Sequence, residues 1–216
     1  DFEDAFDTAC IVEELVDFEK EIAVMVARND RGEMATFPMV EMEFNPQANL
    51  VEFLISPSTY SFDIQTKAES IAMKIANDLQ IVGVLAVEMF LTKDGDILVN
   101  ELAPRPHNSG HQTIEGNFTS QFGQHLRAIF NLPMGDTATR ANAIMVNLLG
   151  EAGYEGLAKY EGIEEALGIP GVYVHLYGKK YTKPFRKMGH VTIVNQDRAL
   201  AIEIARKVQN LIKVIA

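Results

Sequence analysis

Residues 84–91 read Val-Leu-Ala-Val-Glu-Met-Phe-Leu, residues 92–96 read Thr-Lys-Asp-Gly-Asp, and residues 97–102 read Ile-Leu-Val-Asn-Glu-Leu. Both outer runs are apolar, and the first has the β-branched and aromatic bias of a strand. Asp94-Gly95 between two such runs is the strongest short-range signal for a β-hairpin. The stretch therefore predicts two antiparallel strands joined by a tight turn.

The register of this hairpin places two acids face to face. If Asp94-Gly95 is the two-residue turn, Glu88 lies directly opposite Glu101, with Cβ atoms about 5 Å apart, and like charges so placed repel. Burying one unpaired carboxylate costs several kcal/mol. A divalent cation between the two acids reverses the sign of the interaction, and Mg²⁺ favours one or two carboxylates with nucleotide phosphates completing its shell. Two alternatives stay open: both acids are solvated, or the turn is one residue longer and the register is lost.

Composition limits the classes of partner. The chain has 216 residues, a net charge of −11 and a pI near 4.9, so no basic field would attract nucleic acid. It can bury a sizeable core, as one domain or two small ones. No apolar run reaches the roughly 18 residues of a membrane span and no signal peptide is visible, so we expect a cytoplasmic protein that binds no membrane. One cysteine, Cys10, excludes an internal disulfide. The chain starts at Asp1 without an initiator methionine, which predicts processing or truncation.

The first half of the chain is rich in strand patterns. β-branched residues predict strands at 9–16, 21–28 and 33–40. Helical spacing predicts an amphipathic helix at 63–80 and a shorter one at 119–131. In the shorter helix the residues expected to point inward are Phe122, Leu126, Ile129 and Phe130.

From about residue 138 the pattern changes to a second unit. Strands are predicted at 143–149, 172–177 and 189–194, with a short helix at 161–167. Asp197 is a good N-cap for a closing helix that runs to Ile212. The residues expected to form its buried stripe are Leu200, Ile204, Val208, Leu211 and Ile215.

A dense cluster of polar residues follows the second acid, in the run Asn100-Glu101-Leu102-Ala103-Pro104-Arg105-Pro106-His107-Asn108-Ser109-Gly110-His111. Two prolines flank Arg105 and keep the backbone extended, which fixes where the guanidinium points. Such an arginine suits the binding of a small planar anion or a transferring phosphoryl group. His107, Asn108 and Ser109 add hydrogen-bonding groups. The alternative is a polar loop that satisfies its own hydrogen bonds in turns.

A basic segment stands out in this acidic chain. Lys179, Lys180, Lys183, Arg186 and Lys187 crowd between two predicted strands, which suits a phosphomonoester. The alternative is a solvated hairpin tip.

The histidines divide into two groups. His111 and His190 are expected to support the site around His107, whereas His125 and His175 are expected to be structural.

Three runs resemble one family. Residues 100–111 are similar to the signature of 5-(carboxyamino)imidazole ribonucleotide synthetase, a member of the ATP-grasp superfamily. Residues 186–190, Arg-Lys-Met-Gly-His, resemble its C-terminal signature, and residues 12–16 followed by Glu21 resemble its nucleotide hinge. The resemblance implies an α+β fold: an ATP-grasp C-terminal lobe with a largely antiparallel sheet and packed helices, plus a small β-rich C-terminal subdomain. The implied units are residues 1–137 and 138–216, without the family's N-terminal domain.

The resemblance also implies a role for each candidate residue. Glu88 and Glu101 would hold Mg²⁺, or Mn²⁺, on the phosphates of ATP. The residues implied to bind the nucleotide are Glu13, Glu14, Leu15 and Val16 at the adenine, Glu21 at the ribose, and Asn100 with Glu101 beside the phosphates. Those implied to surround bicarbonate and carboxyphosphate are Arg105, His107 and Asn108. Those implied to bind the phosphate of aminoimidazole ribonucleotide are Lys179, Arg186 and Lys187.

The implied activity is ATP- and Mg²⁺-dependent carboxylation of 5-aminoimidazole ribonucleotide with bicarbonate, in de novo purine biosynthesis, by a homodimer. The 216 residues alone are expected to show little or no turnover, because the family's phosphate-binding lysines lie in the part not present. Two alternatives remain. One is the formate-dependent glycinamide ribonucleotide transformylase, whose loop also contains Pro-Arg-Pro-His, and the other is a non-catalytic module that binds nucleotide or forms dimers.

Overall fold

The structure, a computed structural model, describes residues 11–45 and 50–216. Its main sheet has nine strands in the order β10-β12-β7-β4-β3-β1-β5-β6, with β2 paired to β1, and every pair of neighbours is antiparallel. These strands are β1 (Lys20–Arg28), β2 (Met34–Thr36), β3 (Val40–Asn45), β4 (Leu50–Ser56), β5 (Gly83–Leu91), β6 (Ile97–Ala103), β7 (Asn142–Leu149), β10 (Val172–Leu176) and β12 (Lys187–Asn195). Two small sheets pair β8 (Gly156–Leu157) with β11 (Tyr181–Thr182) and β9 (Lys159–Glu161) with β13 (Lys213–Ile215).

Five α-helices pack around the main sheet within the described ranges. They are α1 (Phe62–Asp78), α2 (Thr113–Gly116), α3 (Gln121–Ile129), α4 (Ile163–Leu167) and α5 (Arg198–Leu211), with a 3₁₀ turn at Asn108–Gly110. None of these helices is long and apolar enough to cross a membrane. The antiparallel sheet with packed helices and small additional sheets confirms the predicted α+β class.

Strand register divides the helices between two faces of the sheet. Ile22, Glu41, Ile55 and Ile144 align across β1, β3, β4 and β7 and therefore share one face. On that face α1 and α5 each turn alanines toward the sheet, Ala72 among them, which lets the helix backbones approach closely. The opposite face carries Glu21 and Glu88 together with the 3₁₀ turn, α2 and α3. The two helices that build most of the core therefore lie opposite the candidate site.

Two strand predictions for the first half are wrong. The described part of the predicted strand at 9–16, residues 11–16, contains no strand, and residues 9 and 10 lie outside the described ranges. The run at 33–40 does not form one strand: β2 covers Met34–Thr36 and β3 begins only at Val40. Pro38 lies between them and has no N–H to donate to a sheet ladder, which explains the break.

The predicted inward face of α3 is also wrong. Phe122, Leu126, Ile129 and Phe130 are between 41% and 68% exposed, whereas Gln121, Gln124 and Ala128 are the buried positions. The reason is that the two glutamines bind neighbouring loops, which orients the helix against its own hydrophobic pattern.

The closing helix has the predicted cap but a displaced stripe. Asp197 accepts hydrogen bonds from the N–H groups of Ala199 (2.9 Å) and Leu200 (3.2 Å), which confirms the N-cap. Val208 is buried as predicted, but Leu200 is 42% exposed, and Ala201 and Ala205 take the inner positions. Small residues face the sheet because α5 packs directly on it.

Candidate active site

The hairpin of β5 and β6 places Glu88 opposite Glu101, but its turn differs from the predicted one. Leu91 pairs with Ile97, and Gly95 adopts φ 83°, so the connection is longer than Asp94-Gly95 alone. This turn would shift the register by one residue. A β-bulge in β6, where Asn100 is the extra residue opposite the step from Glu88 to Met89, restores the pairing of Glu88 with Glu101. The opposed carboxylates are confirmed, and the two-residue turn from which they were predicted is wrong.

Glu88 lies in an electrostatically unfavourable place for a carboxylate. Its side chain is 13% exposed. Burial raises its pKa, and the neighbouring Glu101 raises it further, whereas Lys187 and a hydrogen bond from Ser109 act in the opposite direction. Glu21, on the same face of β1, has its pKa raised to about 7 by burial and by the charge of Glu88. The face therefore concentrates negative charge that a cation would relieve.

Glu88 and Glu101 suit a metal ion that takes the rest of its coordination shell from a bound ligand. In the described ranges, no three or more His, Cys, Asp and Glu side chains form a metal site. Glu88 and Glu101 supply two oxygen donors, which is the number that Mg²⁺ takes from a protein when phosphate and water oxygens provide the rest. The donor set is therefore compatible with a metal–nucleotide complex.

The raised pKa of Glu21 gives the metal-free chain a specific dependence on pH. Between about 4.5 and 7 the folded chain holds a proton that the unfolded chain has released, so the free energy of unfolding falls as pH rises through this range. We expect Glu21→Gln to flatten this fall, measured by thermal unfolding in chelator from pH 4.5 to 8. Glu203→Gln, at an exposed position of α5, should leave the slope as in the wild type. Identical slopes in wild type and Glu21→Gln would contradict the assignment.

The loop after β6 places its polar residues beside Glu88. His107 Nδ1 lies 2.9 Å from Ser109 Oγ and 3.3 Å from Glu88 Oε1. Burial lowers the pKa of His107, and the charge of Arg105 lowers it further. Arg105 is exposed at the mouth of the loop, and Asn108 begins the 3₁₀ turn. The structure thus brings His107 to the acids and leaves the Arg105 guanidinium accessible to a ligand.

Gln121 holds this loop in place, and sequence reasoning missed it. Its Oε1 accepts from the His107 N–H (2.8 Å), its Nε2 donates to the His107 carbonyl (2.9 Å), and the same Nε2 lies 3.0 Å from His111 Nδ1. A Cβ at Gly110 would lie 2.6 Å from Gln121 Oε1, so a side chain there would displace the Gln121 amide. An amide can donate and accept at once, but no spacing in the sequence indicates that this one does.

We expect Gln121→Ala to loosen the loop that carries His107. Gln124 is a matched control, because it is equally buried on α3 and makes two bonds, to the N–H and carbonyl of Gly135 instead. Each substitution should lower the free energy of unfolding by about 2 kcal/mol. Only Gln121→Ala should speed hydrogen exchange at residues 107–111. Equal exchange in the two variants would contradict this role for Gln121.

A column of imidazole rings connects the loop to the far strands. The His111 ring stacks on His190 at 4.5 Å between centroids, and His190 stacks on His175, also at 4.5 Å. Burial is the main reason that the pKa of His111 falls to about 4 and that of His190 to about 3, so both are neutral near pH 7. His175, expected to be structural, belongs to the same column. His125 lies apart from it and accepts from the Val84 N–H (3.2 Å).

The basic segment divides into two parts. Lys179 donates to the carbonyl of Lys187 and lies over the Tyr177 ring, and Arg186 donates to the Tyr181 carbonyl (2.8 Å). Burial lowers the pKa of Lys179, and the charge of Arg186 lowers it further. Lys187 differs from these two residues. Burial lowers its pKa, but the negative charges of Glu88 and Glu101 raise it. Its ammonium group is therefore within electrostatic reach of the two acids.

The predicted nucleotide hinge is only partly near the acids. Glu13, Glu14 and Leu15 are exposed and lie outside any strand, and Val16 is half-buried. Glu21, by contrast, lies on β1 within electrostatic reach of Glu88. The acids predicted to bind the metal and the ribose are thus near one another, whereas the residues predicted to bind adenine lie in an exposed segment.

Comparison with known proteins shows the family to which the chain belongs. The sequence profile of the ATP-grasp domain matches residues 2–122, more than half of the chain. The chain belongs to the ATP-grasp family. A second profile, the C-terminal domain of phosphoribosylaminoimidazole carboxylase, matches residues 143–204. Strands from the two matched regions belong to one sheet, because β4 pairs with β7. The division at residue 137 stays a prediction.

Its relatives belong to one branch of that family. The chain is 47% identical over 188 residues to an N5-carboxyaminoimidazole ribonucleotide synthase of Bacillus subtilis, covering 87% of this chain and 47% of the relative. A solved N5-carboxyaminoimidazole ribonucleotide synthetase from Thermotoga maritima superimposes with a TM-score of 0.91 at 50% identity, over 100% of this chain and 58% of that one. The synthase from Aspergillus clavatus, solved with ADP and 5-aminoimidazole ribonucleotide, has a TM-score of 0.81 at 35% identity, over 91% and 52%. The chain thus spans about half the length of these relatives.

Proposed function

We propose that these 216 residues form the metal–nucleotide and substrate-phosphate portion of an N5-carboxyaminoimidazole ribonucleotide synthase. The whole enzyme would carboxylate 5-aminoimidazole ribonucleotide with bicarbonate, using ATP, and release ADP and phosphate. The observation that supports this most directly is the pairing of Glu88 with Glu101 on the face that also holds His107. The relatives named above support the substrate and the nucleotide.

Each group of residues would have one task in this reaction. Glu88 and Glu101 would hold Mg²⁺, which would neutralise the phosphates when bound. Arg105 would orient bicarbonate for attack on the γ-phosphoryl group and stabilise the charge that develops there. His107, neutral because it is buried, would donate or accept a hydrogen bond at the resulting carboxyphosphate, with Asn108 beside it. Asn100 would contact the nucleotide phosphates.

The substrate would be held by its phosphate. Lys179 and Arg186 are within electrostatic reach of each other, and each could bind a phosphomonoester with charge-assisted hydrogen bonds. Lys187 would stand between this phosphate and the acids. This arrangement would place the amine of the imidazole near His107, where CO₂ from carboxyphosphate would be captured. Glu21 would accept from the ribose of ATP, and residues 13–16 would close on the adenine.

The whole enzyme would use bicarbonate and would act as a homodimer in the cytoplasm. Bicarbonate as the carbon donor and a homodimer follow from the resemblance, whereas the proposed cytoplasmic location follows from the sequence composition. The formate-dependent transformylase is the nearest alternative within the family, and the Asn108-Ser109-Gly110-His111 continuation favours bicarbonate.

Calorimetry with Mg-ADP on the 216-residue chain tests the nucleotide site. Saturable binding that disappears in chelator is expected, and a non-catalytic, purely structural module would bind nothing. A full-length protein containing these residues should hydrolyse ATP with aminoimidazole ribonucleotide and bicarbonate, and formate should not replace bicarbonate. In that protein Lys179→Ala should raise KM for the ribonucleotide more than it lowers kcat, whereas Lys159→Ala, at an exposed position of β9, should change neither. Activity with formate would overturn the proposed carbon donor.

A further inference from the structure

A cleft of about 320 Å³ lies between the end of β7 and the end of α5. Leu148 and Ile212, each 3% exposed, contribute apolar walls. None of the residues assigned above to the nucleotide, the bicarbonate or the substrate phosphate lines this cleft. Its volume is that of a small-molecule site, with an apolar wall and a few polar groups. The polar side chains that line it are Glu52, Asn147, Glu151, Gln209, Asn210 and Lys213.

The cleft lies where two neighbouring strands of the main sheet separate. The ladder between β4 and β7 ends at the pair of Phe53 and Val146. Glu52, the next residue of β4, is the extra residue of a β-bulge. Asn147, the next residue of β7, reaches β4 only through its side chain, where Nδ2 donates to the Val51 carbonyl (2.8 Å). The sheet therefore opens at Glu52 and Asn147, and both of these side chains line the opening.

The amides that line the cleft direct donors into the protein. Asn147 donates to β4, Gln209 Nε2 donates to Glu52 Oε1, and Asn210 Nδ2 donates to the Arg206 carbonyl (3.0 Å). Asn147 is 8% exposed, and within the described ranges its Oδ1 is a buried acceptor without a hydrogen-bond partner. A buried acceptor in this state costs free energy that an N–H donor would recover. The lining is thus rich in acceptors, and it suits a ligand that carries donors.

The charges of the lining residues favour a cation. Glu52 and Glu151 contribute two negative charges and Lys213 one positive charge, which leaves one net negative charge. Lys213 Nζ lies 3.5 Å from Glu151 Oε1, so its positive charge is already balanced. A metal ion alone would leave most of the cleft unfilled, because the volume is roughly ten times that of one water molecule. The apolar walls at Leu148 and Ile212 suit a carbon chain instead.

We infer that this cleft binds a small organic cation, an amine or a guanidinium compound with a short alkyl chain. Its N–H groups donate to Glu52 and Asn147, and its chain contacts Leu148. A carboxylate can accept several hydrogen bonds, so the bond from Gln209 leaves Glu52 able to accept another. The inference does not rest on the proposed function, because it uses none of the residues of the candidate active site.

The cleft shares its wall with the basic segment. Gly150 and Phe185 both line it, and the Phe185 N–H donates to the Gly150 carbonyl (2.8 Å). The Gly150 N–H in turn donates to the carbonyl of Arg186 (2.9 Å). A Cβ at Gly150 would lie 2.2 Å from the carbonyl oxygen of Lys183, so the two backbones pack directly on each other. A ligand in the cleft therefore contacts the same backbone that positions Arg186.

Titration of the 216-residue chain with 1,4-diaminobutane, followed by NMR of backbone and side-chain amides, tests the inference. We expect saturable shifts at residues 147–152 and 209–213, including the side-chain amide of Asn147. The uncharged 1,4-butanediol should bind at least about tenfold more weakly, because hydrogen bonds between charged groups are stronger than those of a neutral donor. Glu52→Gln should weaken binding of the diamine about tenfold. Glu203→Gln, at an exposed position of α5, makes the same change in net charge and should leave the affinity unchanged.

The other outcomes each overturn the inference. Equal affinity for the diol would exclude a cationic ligand, and the same shifts with magnesium chloride alone would show a metal site. Shifts confined to the surroundings of Glu21 and Glu88 would place the diamine among those acids instead, and the absence of saturable shifts would leave no site. If Glu52→Gln does not fold, Glu151→Gln replaces it and should also weaken binding, because its side chain is 38% exposed and lines the same cleft. No nucleotide is used, so a failure of the proposed activity would leave these results interpretable.

Discussion

Replacing Glu88 by glutamine is expected to weaken Mg-ADP binding by about 100-fold, since removing one charge from a desolvated ion pair costs about 3 kcal/mol or more. Glutamine has nearly the size of glutamate, and it imitates the protonated acid that burial and Glu101 already favour in the absence of metal. The same substitution should therefore raise the melting temperature of the metal-free chain. Weaker nucleotide binding together with a more stable metal-free chain is what we expect if the two carboxylates repel each other and a bound cation neutralises them. Calorimetry and thermal unfolding in chelator measure the two effects.

The matched control for this prediction is Glu165→Gln. Glu165 is exposed on α4, so its substitution makes the same change in net charge away from the hairpin. It should alter neither quantity. If Glu88→Gln and Glu165→Gln gave the same affinity for Mg-ADP, the hairpin would not be the metal site.

Replacing Glu41 by alanine is expected to destabilise the chain by about 3 kcal/mol, because it removes the partner of several buried groups. Glu41 Oε1 accepts from Ser58 Oγ (3.0 Å), Thr59 N (2.7 Å) and Thr59 Oγ1 (3.1 Å). It also lies 3.5 Å from Arg198 Nη2 at the start of α5. This carboxylate connects β3, the loop after β4 and the closing helix, on the face covered by α1 and α5. For a chain of this size the loss corresponds to roughly 10 °C in melting temperature.

Glu43 is the control for Glu41, because it lies two residues along the same strand and on the same face but outside the buried network. Its side chain is 43% exposed and lies 3.5 Å from Lys20 Nζ, so Glu43→Ala should cost less than about 1 kcal/mol. Glu41→Gln should fall between the two alanine variants, because it keeps an acceptor for Ser58 and Thr59 while losing the charge. Equal melting temperatures for the Glu41 and Glu43 alanine variants would show that the buried network contributes little.

Local sequence determined much of the fold and the centre of the site. The hairpin of β5 and β6, the cap at Asp197 and the polar loop at residues 103–111 all follow from patterns within about 20 residues of chain, where turn chemistry and periodicity act directly. The opposition of Glu88 and Glu101 was predicted correctly although the turn is longer, because the bulge at β6 compensates for it. Local rules cannot foresee that compensation, since a bulge is stabilised by the neighbouring strands.

Only the tertiary structure decided which side each helix presents and which residues meet. Hydrophobic spacing in α3 predicts an inward face of Phe122 and Leu126, but two glutamines took that position because their amides satisfy loop backbone groups brought close by the fold. Gln121 and the stacked rings of His111, His190 and His175 come from segments far apart in the chain, and no spacing reveals their contact. Sequence by itself thus determined which chemical groups are available and the local geometry of each strand and turn. The packing of distant elements determined their partners, because the free energy of hydrogen-bonding buried polar groups outweighs the preference of one helix for its apolar face.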